Sequence, residues 1–238
     1  MPVFGGPVRM CSGEAADLIS LAPPEEDMAR VRQALLDLAH QAEGSLRIYR
    51  ARPCAAFAPR DLLLKDFAQA AEAMRSRGFA PVERRTGGQL AVYDESALVI
   101  DLVAPHPDPR PHVIERFAGF SRAIAAALQR FGIDARTGAV PGEYCPGDYS
   151  VNARGEVKLV GVAQRVNRHG YHLGAVIAVE PSPAVLEAVS RAYESLGLHF
   201  DPASFGVAAE AGQNVSFSAL RDGLLRELRQ LVDIQGLP

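Results

Sequence analysis

Gly142-Glu143-Tyr144-Cys145-Pro146-Gly147-Asp148-Tyr149 is followed closely by Lys158-Leu159-Val160-Gly161-Val162-Ala163-Gln164-Arg165. In the first segment a cysteine sits between Gly142 and a Pro146-Gly147 pair. Such residues extend neither helix nor strand comfortably, so turn geometry sets the backbone around Cys145. The second segment reads as a strand with one lysine in a run of apolar and small residues. A thiol on a loop beside a lysine is a sensible nucleophile. A nearby ammonium favours the thiolate and can donate to a developing oxyanion. The same residues also fit a plain turn cysteine and a surface lysine at a strand start.

Working outward, the whole chain narrows the classes open to it. Its 238 residues are 48% hydrophobic and 22% charged, enough for a full core without disulfide or metal staples. A single domain over 1–238 is expected, with a motif-bearing core over about 46–180 and a helical C-terminal segment over about 182–238. The net charge of −3 points to neither nucleic acid nor an anionic membrane. Residues 1–10 hold no apolar stretch of signal-peptide length, and no run of about 18 apolar residues occurs, so no membrane role is expected. Three widely spaced cysteines, Cys11, Cys54 and Cys145, fit a reducing cytoplasm better than a disulfide framework. There is no CxxC, HExxH, GxxxxGK[ST] or GxGxxG, hence no case for a metal site or a common phosphate loop.

The element pattern is mixed. Pro23-Pro24 with Glu25, Glu26 and Asp27 opens a helix to about 42. Strands follow at 46–49 and 54–57, then a helix over 60–77 stopped by Gly78. Residues 81–85 and 90–94 read as strands around a Thr86-Gly87-Gly88 turn, and 97–103 as a buried strand. Prolines 105, 107, 109 and 111 make an extended connector to a helix over 113–131. Strands at 149–153, 157–166 and 171–179 follow, the last two joined by a hairpin at Arg168-His169-Gly170. Ser182-Pro183 caps a helix to about 196, 201–217 is loop-like, and 220–232 is a last helix. Because strands often follow one another directly, the fold is α/β of the α+β kind, a mixed, largely antiparallel sheet with helices packed on it.

Arg84-Arg85-Thr86-Gly87-Gly88 can hold a carboxylate or phosphate, with glycines letting backbone approach a ligand; a hairpin turn with two solvated arginines is the plainer alternative. Gly161 and Ala163 leave room beside their strand for a narrow apolar ligand, or serve tight sheet packing. Arg165, Arg168 and His169 form a basic patch able to dock an acidic domain, or are merely solvated.

In order, Arg84-Arg85-Thr86-Gly87-Gly88, Ala91-Val92-Tyr93-Asp94, the helix over 113–131 and the Lys158–Arg165 motif resemble the lipoate–protein ligase superfamily. That superfamily also holds biotin protein ligases and octanoyltransferases. The resemblance implies that Arg84, Arg85, Gly87, Gly88, Ala91, Asp94, Gly161 and Ala163 shape an acyl pocket, and that Lys158 contacts the acyl carbonyl. Gln89 and Asp94 depart from the Gly-Gly-Gly run and the histidine of the ATP-dependent ligases. The Tyr144–Tyr149 loop is similar to that of cysteine-dependent amidotransferases, which pass octanoyl or lipoyl groups between carrier proteins. This implies a cytoplasmic acyltransferase of protein lipoylation that needs no cofactor. Its partners are glycine-cleavage H-type carriers or lipoyl domains, and Cys145 forms the acyl thioester. A slot near Val160, Val162 and Ala91 would bury about eight methylene-sized groups of a C8 chain, roughly 5–6 kcal/mol. The alternatives are an ATP- and Mg-dependent lipoate–protein ligase, in which Cys145 is structural, and a non-catalytic acyl- or lipoyl-domain-binding relative.

Overall fold

The computed structural model describes residues 3–11 and 18–236. In chain order its elements are β1 (Val8–Met10), α1 (Pro24–Asp37), β2 (Gly44–Tyr49), β3 (Cys54–Phe57), α2 (Phe67–Arg75), β4 (Ala80–Glu83), β5 (Ala91–Tyr93) and β6 (Ala97–Pro105). Then come α3 (Val113–Gln129), β7 (Ala135–Thr137), β8 (Val151–Ala153), β9 (Val157–Val166), β10 (Gly170–Ala178), α4 (Pro183–Ser195), α5 (Ala208–Ala211), α6 (Phe217–Leu228) and β11 (Ile234–Gln235).

The strands form two sheets, one of eight strands in the order β11-β1-β2-β6-β10-β9-β8-β7, the other of three, β4-β3-β5. The larger sheet is antiparallel except where β1 joins β2 and β11. The expected α+β architecture is therefore what the chain adopts. Strand β6 is covered on both faces, so it reads as a nearly unbroken apolar run. One face puts Leu46, Ile48, Leu98, Ile100, Leu102 and Ile177 against Phe120, Ile124 and Leu128 of α3 and Leu224 and Leu228 of α6. The opposite face puts Tyr49 and Val99 against Cys54, Ala56, Val82 and Tyr93 of the small sheet. That small sheet in turn buries Phe57 and Val92 under Met74 of α2 and Val185, Val189 and Tyr193 of α4. The alternation along β3, Cys54 and Ala56 one way and Ala55 and Phe57 the other, is the two-residue period of a strand sandwiched between layers.

Several expectations need correcting. The strands flanking Thr86-Gly87-Gly88 are not a hairpin: β4 pairs parallel with β3 on one side and β5 pairs antiparallel with it on the other. The connection through α2 returns the chain beside β3, and residues 84–90 then cross its end. The helix expected over 60–77 splits, because Leu64 is extended (φ −73°, ψ 140°) between a 3-10 turn at Asp61–Leu63 and α2. Asp61 holds that turn by accepting from the Ala58 amide at 2.8 Å. Helix α1 ends at Asp37 rather than 42, and short strands β1, β7 and β11 fall where no strand was expected. The residues over 201–217 include a 3-10 turn and α5. The expected start of α4 holds, with Ser182 accepting from the Val185 amide at 3.3 Å. So does the hairpin into β10, where Asn167 Oδ1 accepts from the His169 and Gly170 amides.

Burial between the sheets pushes the Cys54 thiol up from 9.0 to about 12. The folded value is the higher one, so this contribution is intact below pH 9 and is lost as pH climbs toward 12. Urea unfolding at pH 8 and pH 10.5 should show a fall that is smaller in Cys54→Ala by about 1–2 kcal/mol; equal falls would contradict this burial.

Candidate active site

A cavity of about 520 Å³ lies between the two sheets, within the usual size of small-molecule sites. Its floor is the large sheet at Gly161, Ala163 and Gly174, where the near absence of side chains recesses the surface. Register puts Ala163 opposite Gly174, and Gly174 opposite Asp101, so these positions share one face across three strands. Ala91, Tyr93 and the Arg84–Gly88 segment line it from the small sheet, while Met28, Val31 and Leu35 of α1 line another side. The lining is largely apolar. Among its polar groups are His172 and Asp101, joined at 2.8 Å, with Tyr49 Oη donating to the other Asp101 oxygen at 3.0 Å.

Cys145 lines this cavity from the loop over 142–149. Its backbone is left-handed (φ +43°), an unfavourable state for a residue with a Cβ, costing about 1–3 kcal/mol unless the surroundings impose it. They do. The Cys145 amide donates to Tyr193 Oη at 2.7 Å, and its carbonyl accepts from Lys158 Nζ at 2.8 Å. The sulfur accepts from the Gln89 amide at 3.1 Å and lies 3.8 Å from Arg84 Nη2. Arg84 is itself fixed, donating to Thr86 Oγ1 at 2.7 Å and to the Gln89 carbonyl at 2.6 Å. Gly88 explains itself sterically: a Cβ there would sit 2.7 Å from Cys145 Sγ and 2.9 Å from Arg84 Nη2, on a backbone at φ +97°.

Lys158 is next to the cysteine but does not face the cavity. It is only 1% exposed, and its three protons go to the Tyr144 carbonyl (2.9 Å), the Cys145 carbonyl (2.8 Å) and Glu143 Oε1 (3.3 Å). The ammonium also lies 4.7 Å over the Tyr144 ring. Burial lowers its pKa, while the neighbouring Cys145 and Glu143 pull it back up. A register shift where β8 meets β9 leaves Asn152 opposite Lys158 and Val151 opposite Val160. The Lys158 side chain thereby runs beneath Gly161, whose added Cβ would meet Cε at 3.7 Å. Lys158 is expected to contact an acyl carbonyl; in this structure its three donors go to Glu143 and to the carbonyls of the loop.

The remaining expected residues divide. Arg84, Arg85, Gly87, Gly88, Ala91, Gly161 and Ala163 all line the cavity, as does Val162. Arg85 is exposed, 3.3 Å from Glu83, and its carbonyl accepts from Arg165. Asp94 does not line the cavity: the chain leaves the sheet after Tyr93, and the carboxylate accepts from the Ser96 amide and from Ser182 Oγ at the start of α4. Val160 belongs to the core under α3, on the opposite face of β9. Sequence reasoning missed Glu143, Tyr193 and the His172–Asp101 pair. Glu143 is buried and accepts from the Val140 and Gly147 amides and Ser150 Oγ as well as Lys158. Its signal was present, a carboxylate two residues before Cys145 in a loop followed by one buried lysine. Among the described residues no cluster of His, Cys, Asp or Glu is arranged to hold a metal ion. Nor is any described helix long and apolar enough to cross a membrane.

Known proteins share this fold. The fold is shared with a lipoate-protein ligase A structure bound with ATP (TM-score 0.70, 18% identity, 98% of this chain and 89% of that one). It is shared equally with a bi-partite lipoate protein ligase of Thermoplasma acidophilum (TM-score 0.68, 17% identity, 98% and 86%). The chain belongs to the lipoyl protein ligase A/B catalytic domain family, which it matches over residues 23–214. It is 28% identical over 132 residues to an octanoyl-[GcvH]:protein N-octanoyltransferase of Geobacillus kaustophilus (strain HTA426), covering 56% of this chain and 46% of that protein. A transferase of the same name from Lysinibacillus sphaericus (strain C3-41) is 25% identical over 178 residues, 69% of this chain and 61% of that protein. The chain therefore aligns with about half the length of the curated relatives it matches.

Gly88→Ala should slow alkylation of Cys145 by iodoacetamide at least about tenfold, because the new methyl displaces the sulfur or the guanidinium. Gly87→Ala, whose Cβ meets open space, is the matched control and should react like the wild type. Equal rates in the two variants would contradict the placement of the sulfur.

Proposed function

We propose that this protein is an acyltransferase of protein lipoylation, moving an octanoyl or lipoyl group between carrier proteins through a thioester on Cys145. The observation that carries the reading is the position of the Cys145 sulfur. It faces the cavity with the Gln89 amide at 3.1 Å and the Arg84 guanidinium at 3.8 Å. An adenylating ligase has no use for a nucleophilic thiol there. The names of the Geobacillus and Lysinibacillus relatives describe the same transfer, from an octanoylated GcvH to a protein nitrogen.

In the first half-reaction the Cys145 sulfur bonds to the carbonyl carbon of the acylated donor lysine. The C–N bond breaks, and the amine leaves with the proton the thiol gave up. In the second, the amine of an acceptor lysine attacks the thioester, the C–S bond breaks and the sulfur regains a proton. One amide is exchanged for another, so the reaction needs neither ATP nor magnesium. Arg84 supplies positive charge beside the carbonyl oxygen as it becomes negative. Lys158 acts one step back, holding the carbonyls of Tyr144 and Cys145 so that the thiol keeps its place. Gly161, Ala163, Val162 and Ala91 take the acyl chain, whose burial contributes roughly 0.8 kcal/mol per methylene. Donor and acceptor are a glycine-cleavage H-type carrier and a lipoyl domain. The three widely spaced cysteines of the chain support work in the reducing cytoplasm. The C-terminal helical segment works with the motif-bearing core as one catalytic unit, since Tyr193 bonds the Cys145 loop directly.

Intact-mass analysis of the protein mixed with octanoylated carrier, without ATP, tests the reading. A hydroxylamine-sensitive acyl adduct is expected on the wild type and none on Cys145→Ser. Absence of the adduct from the wild type, or its persistence in the variant, would defeat it. Lipoate-dependent release of pyrophosphate from ATP would instead indicate a ligase, and binding without turnover a non-catalytic relative.

A further inference from the structure

Tyr193 lies 48 residues beyond Cys145 in the chain, on a helix outside every motif of the acyl site. Its side chain is nonetheless fully buried, and its hydroxyl touches both walls of that site. It accepts a hydrogen bond from the Cys145 amide at 2.7 Å and donates one to the Leu90 carbonyl at 2.9 Å. Leu90 directly follows Gln89, whose own amide donates to Cys145 Sγ at 3.1 Å. One hydroxyl therefore fixes the separation between the backbone that carries the thiol and the backbone that receives it.

From this geometry we infer that Tyr193 is a positioning residue for Cys145, holding the thiol in register with the Gln89 amide and Arg84. The cysteine needs such a hold because its φ of +43° is not a conformation it would keep unaided. Lys158 clamps the carbonyl side of the residue and Tyr193 the amide side. Burial pushes the Tyr193 phenol well above the ordinary tyrosine range, so it stays protonated and both bonds persist at working pH. A consequence follows for the chemistry: the Cys145 amide is occupied and is not a free oxyanion donor. Charge on the carbonyl oxygen must be met from the Arg84–Gln89 side.

The inference rests on the thioester reading, and single-turnover acylation of the full-length protein by octanoylated carrier separates the two. Tyr193→Phe removes the hydroxyl and keeps the ring. Phe200→Leu perturbs the packing of that ring, 5.8 Å between centroids, and keeps the hydroxyl. With rates corrected for the folded fraction of each variant, Tyr193→Phe should acylate about 10- to 100-fold more slowly, with the KM for carrier unchanged. Phe200→Leu should acylate within about threefold of the wild type. A wild-type rate in Tyr193→Phe, a raised KM alone, or an equal slowing in Phe200→Leu would overturn the positioning role. No acylation of the wild type would instead sink the thioester reading on which it rests.

Discussion

A buried ammonium is the constraint on which the site depends. Removing a charge from water costs several kcal/mol unless good partners replace the solvent. For Lys158 those partners are the carbonyls of Tyr144 and Cys145 and the Glu143 carboxylate, with the Tyr144 ring against the cation. The loop over 142–149 therefore has little freedom, since any other path would strip the ammonium of its acceptors. Glu143 extends the constraint by tying down the Val140 and Gly147 amides and Ser150. The strained backbone of Cys145 lies between the Tyr144 carbonyl, held by Lys158, and the Gly147 amide, held by Glu143.

Two sheets then turn a held thiol into a site. The large sheet offers a floor in which Gly161, Ala163 and Gly174 stand where larger residues would fill the gap. The small sheet brings the Arg84–Gln89 segment over that floor, and Gly88 allows sulfur and guanidinium to meet. Labour is divided between two cations. Arg84 sits at the sulfur, on the side of the cavity, while Lys158 sits behind the backbone. The second tether, through Tyr193, comes from a helix packed on the far side of the small sheet, so the site spans three layers of the fold.

How much of this was legible in the sequence follows from the range of the interactions involved. The Arg84–Gly88 segment, the Cys145 loop and the helix cap at Ser182 are local signals; the first two border the cavity, and the cap forms as its sequence implies. Strand partners are not local. Nothing within 80–93 says that β4 and β5 both seek β3 rather than each other. The direction of the Lys158 side chain depends on a register shift against β8, which no periodicity of β9 reveals. Val160 and Val162, two residues apart on β9, both pack on the core under α3, although Val162 also borders the cavity. Asp94 was misplaced because the chain leaves the sheet one residue earlier than the motif implies. Tyr193 had no signal at all, being an ordinary aromatic on the buried face of an amphipathic helix.

Chemical denaturation of Lys158→Met compared with the wild type near pH 7 tests the central claim most directly. Removing a lysine that clamps the loop leaves a buried carboxylate without its cation and takes this donor from two carbonyls. The expected loss is about 3–5 kcal/mol of folding stability. A variant that loses acyl transfer yet unfolds within about 1 kcal/mol of the wild type would show instead that Lys158 serves the substrate and that something else holds the loop.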